Sequence, residues 1–275
     1  MNELGKTFRK LREQNDGALI GYITGGNPEP KYTPRIAGAL IEGGIDILEL
    51  GIPFSDPIAD GPTIQAASLQ ALKAGTTPET VLEIAQEIKE EHDIPLVILT
   101  YFNPIFRMGL VNFLKLTRNY GISGLVVPDL PVEEADDYKK VAEAYAIDTI
   151  FLAAPSTSTK RLRKILEFTS GFLYLVSLFG VTGVREKVEN STIQLIKKFR
   201  PYTAGRTPLA VGFGISKPEH AKRIIENGAD GIIVGSAFVN IINKKQGNLS
   251  KMLNEIRENA HKLKEATKES RISSE

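Results

Sequence analysis

The chain has 275 residues, a formal net charge of +1, no cysteine and three histidines. That excludes disulfides, thiolate metal sites and cysteine nucleophiles, and it supplies neither the basic footprint of a nucleic-acid binder nor an acidic tail. His92, His220 and His261 are scattered, which argues against a histidine zinc site or a histidine-centred triad. The absence of cysteine agrees with a cytoplasmic location.

Residues 1–16 are polar, with Leu4, Phe8 and Leu11 at helical spacing. This predicts a short amphipathic helix rather than a signal peptide. Strands are predicted at Ala18–Thr24, Ile45–Leu50, Leu96–Tyr101, Gly124–Val127, Asp148–Leu152, Phe172–Ser177, Leu209–Gly212 and Gly231–Val234. Helical patterns lie between them at Lys31–Glu42, Thr63–Lys73, Pro78–Glu91, Glu133–Tyr145, Lys160–Phe168, Thr192–Phe199, Pro218–Asn227 and Ser236–Asn243. Asn103–Gly109 and Pro128–Pro131 read as loops at strand ends. The stretch Gly171–Val184 is uncharged but too short and glycine-rich for a membrane span, which needs about 20 apolar residues. A last helix is predicted over Leu249–Leu263, and Lys268–Glu275 are expected to fray.

Strands alternating with helices imply an all-parallel sheet with helices outside. Eight is the number that closes a (β/α)8 TIM barrel, here with an extra N-terminal helix and inserted helices. An open doubly wound sheet shares the pattern. No linker divides the chain, so residues 1–275 are expected to form one domain.

The most informative stretch is Leu48-Glu-Leu-Gly-Ile-Pro-Phe-Ser-Asp-Pro-Ile-Ala-Asp-Gly-Pro-Thr-Ile-Gln65. An apolar strand ends there in Glu49, and a loop with Asp56 and Asp60 follows. Side chains alternate along a strand, so Ile45, Ile47 and Glu49 share a face. In a barrel that face points inward and sets Glu49 at the C-terminal mouth, where barrel enzymes keep their catalytic groups. Apolar neighbours would raise its pKa and fit it for proton transfer. The plainer alternative is a rim glutamate paired with a lysine or arginine. Asp60 precedes Gly-Pro and could cap the next helix, while Asp56 sits in a Ser-Asp-Pro turn. The loop alone does not say which of the two faces a ligand. Phe172, Tyr174 and Val176 also share a face, which brings a phenol toward the mouth or leaves it as a core aromatic. Gly180 and Gly183 bracket a segment suited to opening and closing.

Gly212-Phe-Gly-Ile-Ser216 and Gly235-Ser236 each end a predicted strand and open a helix. Glycine lets backbone amides approach an anion, helix N-termini favour negative charge, and barrels often bind phosphate with these two loops. The Gly212/Gly214 pair is not a dinucleotide fingerprint, because Lys217 stands where the third glycine belongs.

The stretch around Asp56 resembles the signature of the tryptophan synthase α subunit family. The resemblance continues through Tyr101-Phe-Asn-Pro104, Pro128-Asp-Leu-Pro-Val-Glu-Glu134, Ala154-Pro-Ser-Thr157, Gly180-Val-Thr-Gly183, Gly212-Phe-Gly-Ile-Ser216 and Gly235-Ser-Ala237. It implies a TIM barrel that cleaves indole-3-glycerol phosphate to indole and glyceraldehyde 3-phosphate. It also implies a β subunit carrying pyridoxal phosphate, in an α2β2 assembly, and no cofactor or metal in this chain. Carried over by residue, it implies catalytic roles for Glu49, Asp60 and Tyr174. Phosphate binding falls to Gly183, Gly214, Gly235 and Ser236. The substrate pocket and lid take Tyr22, Tyr101, Asp129 and Thr182. Partner contacts fall to Pro53, Asp56, Pro57, Asn103 and Phe106. The sequence departs from the family pattern at Leu178-Phe179, where a basic residue is common, and at Tyr22, where phenylalanine is common. Rival readings are a sugar-phosphate isomerase or aldolase, a barrel that mainly activates its partner, and a free-standing lyase. A Schiff-base aldolase needs an inward lysine, and the predicted strands carry none.

Overall fold

The computed structural model describes residues 2–176, 185–212 and 214–268. Nine short strands form one all-parallel sheet: β1 (Ala18–Thr24), β2 (Ile47–Gly51), β3 (Leu96–Leu99), β4 (Gly124–Val126), β5 (Asp148–Ile150), β6 (Leu152–Ala153), β7 (Leu173–Val176), β8 (Leu209–Gly212) and β9 (Gly231–Val234). Their order is β5-β4-β3-β2-β1-β9-β8-β7-β6. The two ends, β5 and β6, are halves of one predicted strand, interrupted only at Phe151. The ring is therefore a closed (β/α)8 barrel, and the open doubly wound alternative is excluded.

The helices are α1 (Glu3–Glu13), α2 (Thr33–Glu42), α3 (Pro62–Lys73), α4 (Pro78–Glu91), α5 (Phe102–Met108), α6 (Leu110–Asn119), α7 (Asp136–Ala144), α8 (Thr159–Phe168), α9 (Arg185–Thr203), α10 (Pro218–Glu226), α11 (Ser236–Lys245) and α12 (Leu249–Glu265). No helix among the described residues is long and apolar enough to cross a membrane. Asn103–Gly109, read from sequence as a loop, is mostly helix α5. Its proline, Pro104, falls in the first turn, where no backbone N–H is needed. The Asp129 carboxylate, from the next strand's loop, accepts the Phe102 N–H at 2.9 Å. That long-range cap has no local sequence signal. Helix α6 has no counterpart among the predicted helices. The helix read over Glu133–Tyr145 splits into a 3₁₀ turn, Val132–Glu134, followed by α7.

Strand alternation sorts the apolar residues into two cores. Leu48, Leu50, Ile98 and Leu125 face the helices. Ile20, Tyr22, Ile47, Val97, Val126, Phe172, Tyr174 and Ile233 fill the barrel. Ile45 departs from its predicted inward face: it precedes β2 and packs in the outer core against Gly21. Leu4, Phe8 and Leu11 of α1 join the inner core, with Phe8 and Phe172 rings 5.7 Å apart. Each fully buried side chain of this size contributes about 1.5–3 kcal/mol. Polar ties fasten α1 to the strand N-terminal side. Asn2 donates to Asp148, Ser123 donates to Glu3, and Lys89 pairs with Glu3. With that end plugged, the cavity lies at the C-terminal mouth.

Candidate active site

Glu49 is the third residue of β2 and that strand's last inward side chain. It is fully buried, and neither carboxyl oxygen has a hydrogen-bond partner among the described residues. Among the described residues no cation pairs with it, which counts against the rim ion-pair alternative. Burial, and then the nearby charge of Asp60, push its carboxyl up to about 8. Such a group is protonated at neutral pH, since desolvation and a neighbouring anion both disfavour its charged form.

Asp60 ends a tightly turned loop. Ile58 N–H donates to the Asp56 carbonyl at 2.9 Å and Asp60 N–H to the Pro57 carbonyl at 3.1 Å. Its side chain does not cap α3. The N-cap is Gly61, without a side-chain bond. Burial raises the Asp60 carboxyl to about 6, against a lowering hydrogen bond from Tyr101. Two carboxyl groups with separated pKa values thus face one space.

That space is a cavity of about 710 Å³, counted to its open mouth. Its walls include Tyr22, Glu49, Asp60, Leu99, Val126, Tyr174, Ile233, Gly214, Gly235 and Ser236. The apolar walls suit a flat aromatic ligand with a few directing polar groups. Two glycines make room for the phenols. A Cβ on Gly51 would lie 2.3 Å from the Tyr22 hydroxyl, and one on Gly212 would lie 2.5 Å from the Tyr174 ring. Both phenols are raised in pKa, mainly by burial, and so stay neutral. The Tyr22 hydroxyl pairs with Thr24 at 3.3 Å.

Gly214, Gly235 and Ser236 line the same cavity as Glu49. Helix α11 starts at Ser236 with no acidic residue in its first turn and no side-chain cap. Its first amides are thus unclaimed by the helix, and its first residue lies on the cavity wall, an arrangement that attracts anions. Thr182 and Gly183, with Leu178 and Phe179, lie outside the described residues.

The remaining predicted residues spread over the rim. Tyr101 is buried but is not a wall of the cavity. Its hydroxyl accepts the Ala59 N–H at 3.1 Å. Asp129 borders a neighbouring groove, with Asn103 and Phe106, rather than the cavity. Asp56 is exposed and bonded to Ser55 at 2.5 Å, Pro57 is half-buried, and Pro53 is buried. Asn103 is exposed, and so is Phe106, at 72%. Sequence reasoning missed Ile58, which lies in the same loop as Asp60 and is 81% exposed. An isoleucine in a proline loop was its only signal.

The chain matches the family described as "Tryptophan synthase alpha chain" over residues 8–268. It is 49% identical over 245 residues to the tryptophan synthase alpha chain of Methanosarcina acetivorans, covering 89% of this chain and 88% of that protein. Among solved structures it resembles tryptophan synthase subunit alpha from Legionella pneumophila, with TM-score 0.89, 33% identity and coverage of 97% and 98%. It also resembles a chain from a structure of the tryptophan synthase α2β2 complex of Pyrococcus furiosus, with TM-score 0.83, 42% identity and coverage of 89% and 98%.

Proposed function

The chain belongs to the tryptophan synthase alpha chain family, and we propose that Glu49 is its acid–base group and Asp60 the anchor of the indole ring. Members are lyases of tryptophan biosynthesis that cleave indole-3-glycerol phosphate, and this chain has that alpha role. Its partner is the beta subunit, in an α2β2 assembly, and pyridoxal phosphate is carried by that subunit. We place the assembly in the cytoplasm and treat residues 1–275 as one domain.

The observation that carries the residue assignment is Glu49, buried on the wall of an apolar cavity with no hydrogen-bond partner among the described residues. The cleavage is a retro-aldol reaction. Direct rupture of the bond from indole C3 to the glycerol chain would leave a carbanion on the ring. Protonation of C3 by the neutral Glu49 carboxyl first makes an indolenine cation, which accepts the bonding electron pair and regains its aromaticity. The C3′ hydroxyl then gives its proton to the Glu49 carboxylate and becomes the aldehyde. The enzyme ends in its starting protonation state.

Asp60, ionised at neutral pH, accepts the indole N–H and stabilises the positive charge that develops on the ring. Such a preorganised charge is worth roughly 3–4 kcal/mol in a shielded site. Tyr174 directs the glycerol chain. Ser236 and the backbone at Gly214, Gly235 and Gly183 hold the phosphate, whose remote binding energy fixes the substrate. Tyr22 offers its ring face to the indole, while Thr182 belongs to the lid. Ile58, Asp56, Pro57, Asn103 and Phe106 form the rim that meets the beta subunit, and Pro53 supports that loop from within.

The test is indole release from indole-3-glycerol phosphate by the α2β2 enzyme and by its Glu49→Gln variant, with substrate binding measured in parallel. We expect turnover to vanish while binding persists. A Glu49→Gln enzyme that still turns over at the unmodified rate removes Glu49 from the chemistry.

A further inference from the structure

We propose that Tyr101 is the positioning residue of Asp60, holding that carboxylate at the cavity wall through its phenol without touching the substrate. The inference rests on Asp60 anchoring the indole ring, as argued above.

Tyr101 follows β3 and precedes α5, where it is the N-cap residue. It is 1% exposed and absent from the cavity walls, which sets it one layer behind the ligand space. The ring is stacked on Phe54 with centroids 5.1 Å apart and planes at 26°. The hydroxyl oxygen accepts the Ala59 N–H at 3.1 Å. The residue is therefore gripped at its ring and at its oxygen, on both sides of the Asp60 loop. An oxygen that already accepts one N–H points its own proton elsewhere, and the hold on Ala59 sets the phenol beside the adjacent Asp60, whose carboxylate is the acceptor we assign to that proton. The phenol is raised by burial first and by Asp60 second, so it remains a donor throughout the working pH range. Its bond opposes the burial that would otherwise carry Asp60 still higher. The other titratable groups that sense Asp60 are Glu49, Tyr22 and Tyr174, all neutral at pH 7, so none supplies a competing cation. A phenylalanine at this position would preserve the stack on Phe54 and the packing of β3. It would leave the Ala59 amide and the Asp60 carboxylate each short of one bond.

Tyr101→Phe in the α2β2 enzyme tests this through indole release across pH. A hydrogen bond to a charged group is worth enough to predict a roughly ten- to hundred-fold lower kcat. KM should be little changed, and the acid limb should move upward from about 6. Affinity for glycerol 3-phosphate and the circular dichroism spectrum should match those of the unmodified enzyme. Unmodified kcat with an unmoved acid limb overturns the proposal, because packing alone would tolerate phenylalanine. Asp60→Asn separates the two layers of the argument. If it destroys turnover while Tyr101→Phe does not, Asp60 keeps its role and Tyr101 loses its own. If Asp60→Asn turns over normally, the anchoring role itself fails. In the double variant, Tyr101→Phe should add little to the loss caused by Asp60→Asn, and full additivity would also count against the proposal.

Discussion

The charge of Asp60 reaches Glu49 and adds to burial in lifting its carboxyl to about 8, while Asp60, held by Tyr101, stays near 6. Between those values one carboxyl is an acid and the other a base, in the same cavity.

A bell-shaped pH dependence of kcat/KM follows for the free enzyme. Activity should fall below about 6 as Asp60 takes up a proton, and above about 8 as Glu49 loses the one it must donate. Rates of indole release between pH 5 and 9.5 measure both limbs. A profile flat to pH 9.5 would contradict a protonated Glu49.

Asp60→Asn removes the charge that helps to raise Glu49. Besides a roughly hundred-fold or greater loss of rate, the basic limb of the residual activity should shift downward from about 8. The fold should survive, since α3 takes no cap from this side chain. Thermal unfolding that collapses in this variant would return Asp60 to a structural role.

Glu49 is a stability liability, and the sign of its pH dependence is fixed. Its folded pKa of about 8 lies above the ordinary glutamate value of 4.5, so the folded state keeps a proton that the unfolded state has released. The penalty is absent below about pH 4.5, grows as pH rises, and is complete above about 8. Glu49→Gln should therefore be more stable than the unmodified protein by about 1–3 kcal/mol at pH 8.5. The difference should shrink toward pH 5. Urea unfolding at the two pH values reads it directly.

Gly212→Ala would place a methyl group 2.5 Å from the Tyr174 ring, closer than any real contact. Either the ring leaves the cavity wall or β8 shifts. A destabilisation of about 1–3 kcal/mol should accompany a loss of turnover. Full activity would show that the Tyr174 position is unimportant.

Ser236→Asp sets a second anion where α11 opens onto the cavity. Affinity for glycerol 3-phosphate should drop at least roughly tenfold, with the helix intact. Calorimetric titration that finds no change would locate the phosphate elsewhere.

Strand periodicity made the inner faces legible. Ile47 and Glu49, Phe172 and Tyr174 point inward as alternation requires. Helix boundaries suffered where the deciding bond was remote. Helix α5 hid behind Asn-Pro and a glycine because Asp129, 27 residues away from Phe102, supplies its cap.

What local chemistry alone determined was the ordering of apolar runs, the depth of Glu49 in one of them, and glycines where backbone must approach an anion. These are properties of neighbouring residues, and a linear pattern records them. The tertiary structure decided the partners. It left Glu49 without a cation among the described residues, turned Asp60 from a helix cap toward Tyr101, and pressed Gly51 and Gly212 against two phenols. Those outcomes depend on which strands become adjacent when the ring closes, and adjacency across a barrel is set by packing of the whole core rather than by sequence spacing.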